Sequence, residues 1–222
     1  MRIAALAALI LALSACSQST SGRPQPSPDQ PAVTSPQAAP SSAPPTRESK
    51  LKERIAWVQA GTPVDASRYH SASTGSGPAT DLKGDIAFVS PSGKISCITG
   101  TEYQIDGFNC VVKLKNPIPK PSEGYGNWDG GYVHYSASTL TVGQFRGDPG
   151  LFIHGEGQTL PYDSKLTFAD YTCRIAPTGL TCINPTATSA VHLNDDGITP
   201  YGCLQKAPHP QPAPSVGQTF TC

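Results

Sequence analysis

Charge is scarce in this 222-residue chain: Asp, Glu, Lys and Arg make up 14 %, with sixteen residues of each sign and a net charge of zero. A chain without a basic field has no means of gripping nucleic acid or an anionic membrane surface. Beyond the first fifteen residues no long apolar run occurs, so no membrane-spanning helix is expected. There is no Cys-x-x-Cys, and with it goes the usual ligand spacing for zinc. P-loop, His-Glu-x-x-His, Gly-x-Ser-x-Gly and dinucleotide fingerprints are missing as well. Ser49-Lys50-Leu51-Lys52 has the form Ser-x-x-Lys, but the Ser-Asp-Asn and Lys-Thr-Gly partners are lacking. His154-Gly155-Glu156 has the His-x-Glu spacing of zinc deaminases without their Pro-Cys-x-x-Cys. No metal and no cofactor are therefore expected, and no catalytic residue is identified.

What is abundant is proline (23), glycine (21) and cysteine (7). Arg2 precedes an apolar run from Ile3 to Leu13, too short to span a bilayer but suited to a signal peptide. The run ends in Leu13-Ser14-Ala15-Cys16. Small residues fit a signal-peptidase cleft, and a cysteine just after the cut supplies the thiol that takes acyl chains. This string resembles the bacterial lipobox. Residues 1–15 are read as a signal peptide and Cys16 as the lipidated first residue, anchoring an exported protein to the outer face of the cell membrane. One acyl chain holds weakly, at about 0.8 kcal/mol per buried methylene, so firm anchoring takes two or three.

Setting Cys16 aside leaves Cys97, Cys110, Cys173, Cys182, Cys203 and Cys222, an even count that reads as a disulfide framework. The count leaves many connectivities open. Sequential pairing, Cys97–Cys110, Cys173–Cys182 and Cys203–Cys222, is preferred because each bond then closes a short loop.

Residues 16–46 are Ser, Thr, Pro, Gln and Ala with almost no large apolar side chain, a composition that cannot offset ordering entropy. They are read as a tether reaching at most about 3.1 Å per residue. Leu51, Ile55 and Val58 then fall on one helical face, with Ser49 placed to cap the start and Gly61 to end it. Ser71 to Thr80 reads as a second flexible stretch. From Asp85 the pattern is β. Expected strands are Ile86–Ser90, Lys94–Thr99, Phe108–Lys113, Gly131–Ser136, Thr139–Phe145, Lys165–Phe168, Tyr171–Ile175, Leu180–Asn184 and Ala190–Leu193. Ser90-Pro91-Ser92-Gly93 and Ala176-Pro177-Thr178-Gly179 each combine Pro at the second turn position with Gly at the fourth, which reads as a tight hairpin. If Pro177 and Thr178 alone form the second loop, Cys173 lies opposite Cys182 on one face; a bulge at Gly179 sends them to opposite faces. The tail from Ala207 to Pro214 is Pro-rich. The expected fold is mainly β: a small antiparallel sandwich or barrel-like domain of short strands over residues 47–222, with one N-terminal helix and disulfide staples.

Several strings in order resemble a family of mycobacterial and related actinobacterial lipoproteins of unknown function. They are Ala56-Trp57-Val58, Gly61-Thr62-Pro63-Val64-Asp65, Tyr69-His70-Ser71 and Phe88-Val89-Ser90-Pro91-Ser92-Gly93-Lys94-Ile95-Ser96-Cys97. The series continues through Asn116-Pro117, Gly147-Asp148-Pro149-Gly150, Leu160-Pro161-Tyr162, Gly179-Leu180-Thr181-Cys182 and Tyr201-Gly202-Cys203. The resemblance implies an envelope location and supplies no activity.

The segment with most chemical content is Gly124 to Gly131, where Tyr125, Asn127, Trp128 and Asp129 sit among glycines. Flat rings stack on sugar faces while an amide and a carboxylate bind hydroxyls, the makings of a glycan site. The plainer alternative is a Gly-rich loop whose Trp128 covers the core and whose Asp129 completes a turn. Asp129 and Glu156 form the one candidate glycosidase pair, which requires roughly 5–9.5 Å between carboxyl groups. His70, His134, His154 and His192 are scattered and read as packing or surface residues. Asp195-Asp196-Gly197 reads as a turn rather than a calcium loop. The expected function is a non-enzymatic envelope module that binds a cell-wall glycan or an envelope protein; the alternative is an envelope-glycan hydrolase using Asp129 and Glu156.

Overall fold

The computed structural model describes residues 43–147, 150–208 and 216–222. The signal segment 1–15, Cys16, the tether up to residue 42, Asp148-Pro149 and residues 209–215 of the tail lie outside that description. One α-helix, α1 (Leu51–Gln59), precedes sixteen strands among the described residues. Along the chain they are β1 (Thr62–Pro63), β2 (Ser71–Ser73), β3 (Thr80–Asp81), β4 (Ala87–Val89), β5 (Ile95–Gly100), β6 (Ile105–Val112), β7 (Asn127–Ser136) and β8 (Thr139–Arg146). Then come β9 (Glu156–Thr159), β10 (Ser164–Phe168), β11 (Tyr171–Ala176), β12 (Gly179–Asn184), β13 (Ser189–Asn194), β14 (Gly197–Gly202), β15 (Gln205–Lys206) and β16 (Val216–Thr221). They form a six-stranded sheet, ordered β1-β10-β11-β12-β13-β14, and a ten-stranded one, ordered β15-β16-β8-β7-β6-β5-β4-β9-β2-β3. Neither closes on itself, so the architecture is a sandwich and not a barrel.

The hairpin between β11 and β12 sets the register of the smaller sheet. Ala176 pairs with Gly179, leaving Pro177 and Thr178 as the loop, and Gly179 takes a φ of 132° that a side chain would resist. Counting back from that turn puts Cys173 directly opposite Cys182, and the two are bonded. In the larger sheet Cys97 of β5 lies opposite Cys110 of β6 and is bonded to it. The two similar turn strings thus serve different pairings: Cys182 bonds back across its own turn, whereas Cys97 bonds forward to the next strand. The third bond joins Cys203 to Cys222. Three disulfides place the folded domain in an oxidising, extracytoplasmic setting.

Both strand-to-strand cystines lie in the main core, between the sheets. At its centre the Phe108 ring meets Tyr135, Phe168 and Tyr171 edge-on at 5.5, 5.6 and 5.4 Å. Phe108 and Tyr135 come from the larger sheet, Phe168 and Tyr171 from beside the β10–β11 turn of the smaller one. Edge-to-face pairs of this kind add to the gain from burial alone. The polar tips are satisfied: the Tyr135 and Ser189 hydroxyls stand 2.6 Å apart, and the Ala137 N–H donates to the Tyr171 oxygen at 2.7 Å. Burial pushes both phenols above their ordinary range.

Helix α1 covers part of the outer face of the smaller sheet. Trp57 and Val58 pack on Ala176, Ile183 and Ala190, with Leu51 and Ile55 at the margin, which is the face the sequence periodicity marks. Its ends depart from expectation. The N-cap is Lys50, whose N–H donates to the Glu53 carboxylate, while the Ser49 hydroxyl accepts from the Thr46 N–H in the turn before. The C-terminal carbonyls receive cations, in keeping with the helix dipole: Arg174 Nη1 donates to Trp57 O at 2.7 Å and Lys165 Nζ to Gln59 O.

All nine expected strands are present. Strands β1, β2, β3 and β15, of two or three residues each, carry no periodicity of their own, and β9, β14 and β16 are further strands that the sequence pattern does not mark. Ser71–Thr80, expected to be flexible, is instead the β2–β3 hairpin, held where β2 pairs with β9. Strand β16 falls just beyond the Pro-rich stretch and hydrogen-bonds along β8, secured by Cys222. No helix among the described residues is long and apolar enough to cross a membrane.

Phe108→Ala is expected to cost about 3–5 kcal/mol in urea unfolding, because it opens a cavity where both sheets meet. A loss below about 1 kcal/mol would show that this aromatic cluster does not join the sheets.

Candidate functional site

The Gly-rich segment becomes the start of β7, and its glycines permit close approach of the backbone. A Cβ on Gly130 would stand 2.3 Å from the Ile118 carbonyl oxygen, and one on Gly131 would stand 2.0 Å from that of Val112. With both side chains absent, the segment after β6 crosses directly over β7. The β7–β8 register slips between Asp129 and Val133, a bulge that re-aims the side chains before it. Asp129 completes a turn: Oδ1 accepts from the Gly131 N–H at 3.0 Å, and Oδ2 accepts from Arg146 Nη1 at 3.1 Å. Arg146 is itself held over the rings of Tyr132 and Phe152, at 5.1 and 5.5 Å.

Trp128 is half-buried and fixed. Its Nε1–H donates to Ile118 O at 2.8 Å, and its ring meets Phe145 edge-on at 4.9 Å. Space for the indole is made by two more glycines: a Cβ on Gly143 would lie 2.8 Å from the ring, and one on Gly217 would lie 3.2 Å from it. Tyr125 is 100 % exposed and stands apart from Trp128's contacts. The structure therefore brings Asn127, Trp128 and Asp129 together and leaves Tyr125 outside the group. The three line an open cleft of about 540 Å³ whose other walls include Lys113, Leu114, Pro117 and Arg146. Among the described residues neither the Lys113 ammonium nor the Asn127 amide has a hydrogen-bond or ion-pair partner, and both residues are exposed. Sequence reading missed Lys113 and Arg146. Arg146 had a signal in principle, since it faces Asn127 once β7 and β8 form a hairpin.

The carboxylates proposed as a pair do not meet in one cavity. Asp129 lines the cleft just described, whereas Glu156 lines a smaller one of about 220 Å³ beside Phe152, Gly155 and Ser96. The histidines are dispersed: His70 Nδ1 contacts Asp85 O at 3.0 Å and His134 Nε2 contacts Asp106 O at 2.8 Å. Among the described residues no group of three or more His, Cys, Asp or Glu side chains is placed to hold a metal. Asp195 and Asp196 form the two-residue turn between β13 and β14, closed by Asn194 Oδ1, and bind Lys94 and Lys115 at 2.6 Å each. Asp85 accepts from Thr99, Thr101 and the Thr101 N–H at 2.6–2.8 Å, bonds that hold its carboxyl below the usual range despite burial.

His192 is the histidine whose surroundings alter it most. It is half-buried on β13, with Thr181 Oγ1 2.9 Å from Nδ1 and the Thr178 carbonyl facing the ring. The Asn194 amide nitrogen lies 3.5 Å from Nε2, so both ring nitrogens face neutral polar groups and neither faces a carboxylate. Burial, and then the positive charge of Arg54, push its pKa down to about 4.

No family model matches the chain, and no curated protein or solved structure is detectably similar to it.

A depressed imidazole pKa makes stability depend on pH with a fixed sign. Between the unperturbed 6.5 and about 4 the unfolded chain takes up a proton that the folded state refuses. The contribution is whole above that window and lost as pH falls through it. Urea unfolding of the wild type is expected to lose about 2–3 kcal/mol more than His192→Gln across this range. Equal pH dependence in the two proteins would contradict it.

Proposed function

We propose that this protein is an exported lipoprotein whose β domain is a non-enzymatic binding module for a cell-envelope glycan, displayed at the outer face of the membrane through acylated Cys16. The observation that carries the reading is the cleft beside β7: an open trough with an unpartnered amide and ammonium, a fixed carboxylate–guanidinium pair and apolar walls at Leu114 and Pro117. Polyhydroxylated chains are bound by fixed polar groups of this type, and the pairing of Asp129 with Arg146 holds the site ready before a ligand arrives.

Other features support the same reading. The lipobox-like Leu13-Ser14-Ala15-Cys16 and the disulfides agree on an envelope address. The resemblance of its sequence strings to actinobacterial lipoproteins of unknown function is in keeping with that address. A binding role is favoured over hydrolysis because Asp129 is held by Arg146 and Glu156 faces a different cavity.

Sedimentation of the full-length protein with purified, insoluble wall glycan tests the proposal. Wild type is expected to co-sediment, and the double change Lys113→Ala with Asn127→Ala is expected to weaken retention about tenfold or more while leaving the unfolding curve in place. Absence of wild-type retention, or equal retention of the variant, would overturn it.

A further inference from the structure

On the outer face of the smaller sheet a second cavity, about 380 Å³, opens beside α1. Its origin lies in the strand alternation. Ala190, His192 and Asn194 of β13 share one face with their partners Tyr201, Thr199 and Gly197 of β14 and with Ile183 and Thr181 of β12. Helix α1 covers the apolar part of that face, at Ile183, Ala190 and Tyr201. The remainder is polar and open, floored by His192 and Thr199 and walled by Thr178, Asn194, Thr46 and Arg47.

Arg54 closes the inner end. Leu51, Arg54, Ile55 and Val58 are spaced as an apolar stripe, so this arginine sits where a hydrophobic residue belongs. It is 1 % exposed and stacks on Tyr201, with its guanidinium carbon 3.4 Å from the ring centroid. Its Nε donates to Ser49 O, and Nη2 donates to the carbonyls of Thr46 and Arg47. These acceptors are all neutral. Glu48 and Glu53 feel its charge, yet no carboxylate among the described residues comes within ion-pair distance of it. A buried cation without an anion is costly and uncommon. Arg47, exposed at the cavity rim, also lacks a carboxylate partner among the described residues. The one acidic residue of the lining, Asp196, is already bound by Lys115 at 2.6 Å.

We infer that this cavity binds a small hydroxylated carboxylate of sugar-acid type, its carboxylate on the Arg47 side against the uncompensated charge of Arg54 and its hydroxyls on Thr178, Asn194 and Thr199. The volume falls within the roughly 300–1,000 Å³ common to small-molecule sites. The exposed fork of Arg47 matches the two oxygens of a carboxylate, the buried Arg54 adds its charge from behind, and a neutral His192 adds hydrogen bonds without demanding a second negative charge. The site is separate from the cleft at Trp128, so each stands or falls alone.

Isothermal titration of the full-length protein with sodium glucuronate, with glucose as the uncharged control, tests the inference. Saturable binding of glucuronate and none of glucose is expected. Arg47→Glu, which reverses the charge at an exposed rim position, is expected to weaken glucuronate binding about tenfold or more. Thr199→Val, which removes a hydroxyl and keeps the shape, is expected to weaken it about threefold or more. No glucuronate binding at about 10 mM, equal binding of glucose, or unchanged affinity in both variants would overturn the inference.

Discussion

The register of the hairpin from Tyr171 to Asn184 constrains everything built on the smaller sheet. A two-residue loop at Pro177-Thr178 sets Cys173 against Cys182, turns both inward, and in the same step fixes which side chains face outward. Had Gly179 formed a bulge, one sulfur would point to the core and the other to α1. With the register as found, Arg174, Thr181 and Ile183 lie on the outer face, where α1 docks and the Arg54 cavity opens. The inner face supplies Leu166, Leu180 and the cystine that meet the larger sheet. Helix, core and outer cavity therefore all follow from one turn: Pro to preset φ, Gly to accept 132°.

Glycine acts differently at the other end of the molecule. Around Trp128 four glycines matter because they have no Cβ: Gly130 and Gly131 let the chain after β6 pass over β7, and Gly143 and Gly217 admit the indole. The motif that looks like a flexible loop is thus the packed start of a long strand. The groups that line the open cleft are the ones left after packing is complete, Asn127 and the Asp129–Arg146 pair, joined by Lys113 from the crossing segment. Trp128 is held by a backbone carbonyl and by Phe145, and it shapes the cleft more than it offers a free ring face.

Where the sequence carried a strong local rule, it was readable. Nine strands, the helix and both Pro–Gly turns follow from alternation, helical spacing and turn residues, while the sequential disulfides are one preferred pairing among the connectivities the sequence leaves open. The short strands β1, β2, β3 and β15 were not readable, since a segment of two or three residues is defined by its neighbours and not by its own pattern, and β9 and β14, which contain Gly and in β14 also Pro, were not readable either. Strand β16 was masked by the prolines before it. The sites were less legible for a related reason: Lys113, Arg146 and Arg54 gain meaning only when distant segments meet. Arg54 alone left a trace, a cation within the apolar stripe of α1, and helical spacing exposes it once Arg54 is counted with Leu51, Ile55 and Val58.

Six cysteines cross-link the folded domain, and the proposed address assigns the seventh, Cys16, to the membrane. Non-reducing peptide mass mapping of the protein taken from the membrane fraction of its native cell addresses this directly. The account predicts an acylated Cys16 at the N-terminus and linked peptides joining Cys97 to Cys110, Cys173 to Cys182 and Cys203 to Cys222. Free thiols at these positions, with residues 1–15 still attached, would contradict it.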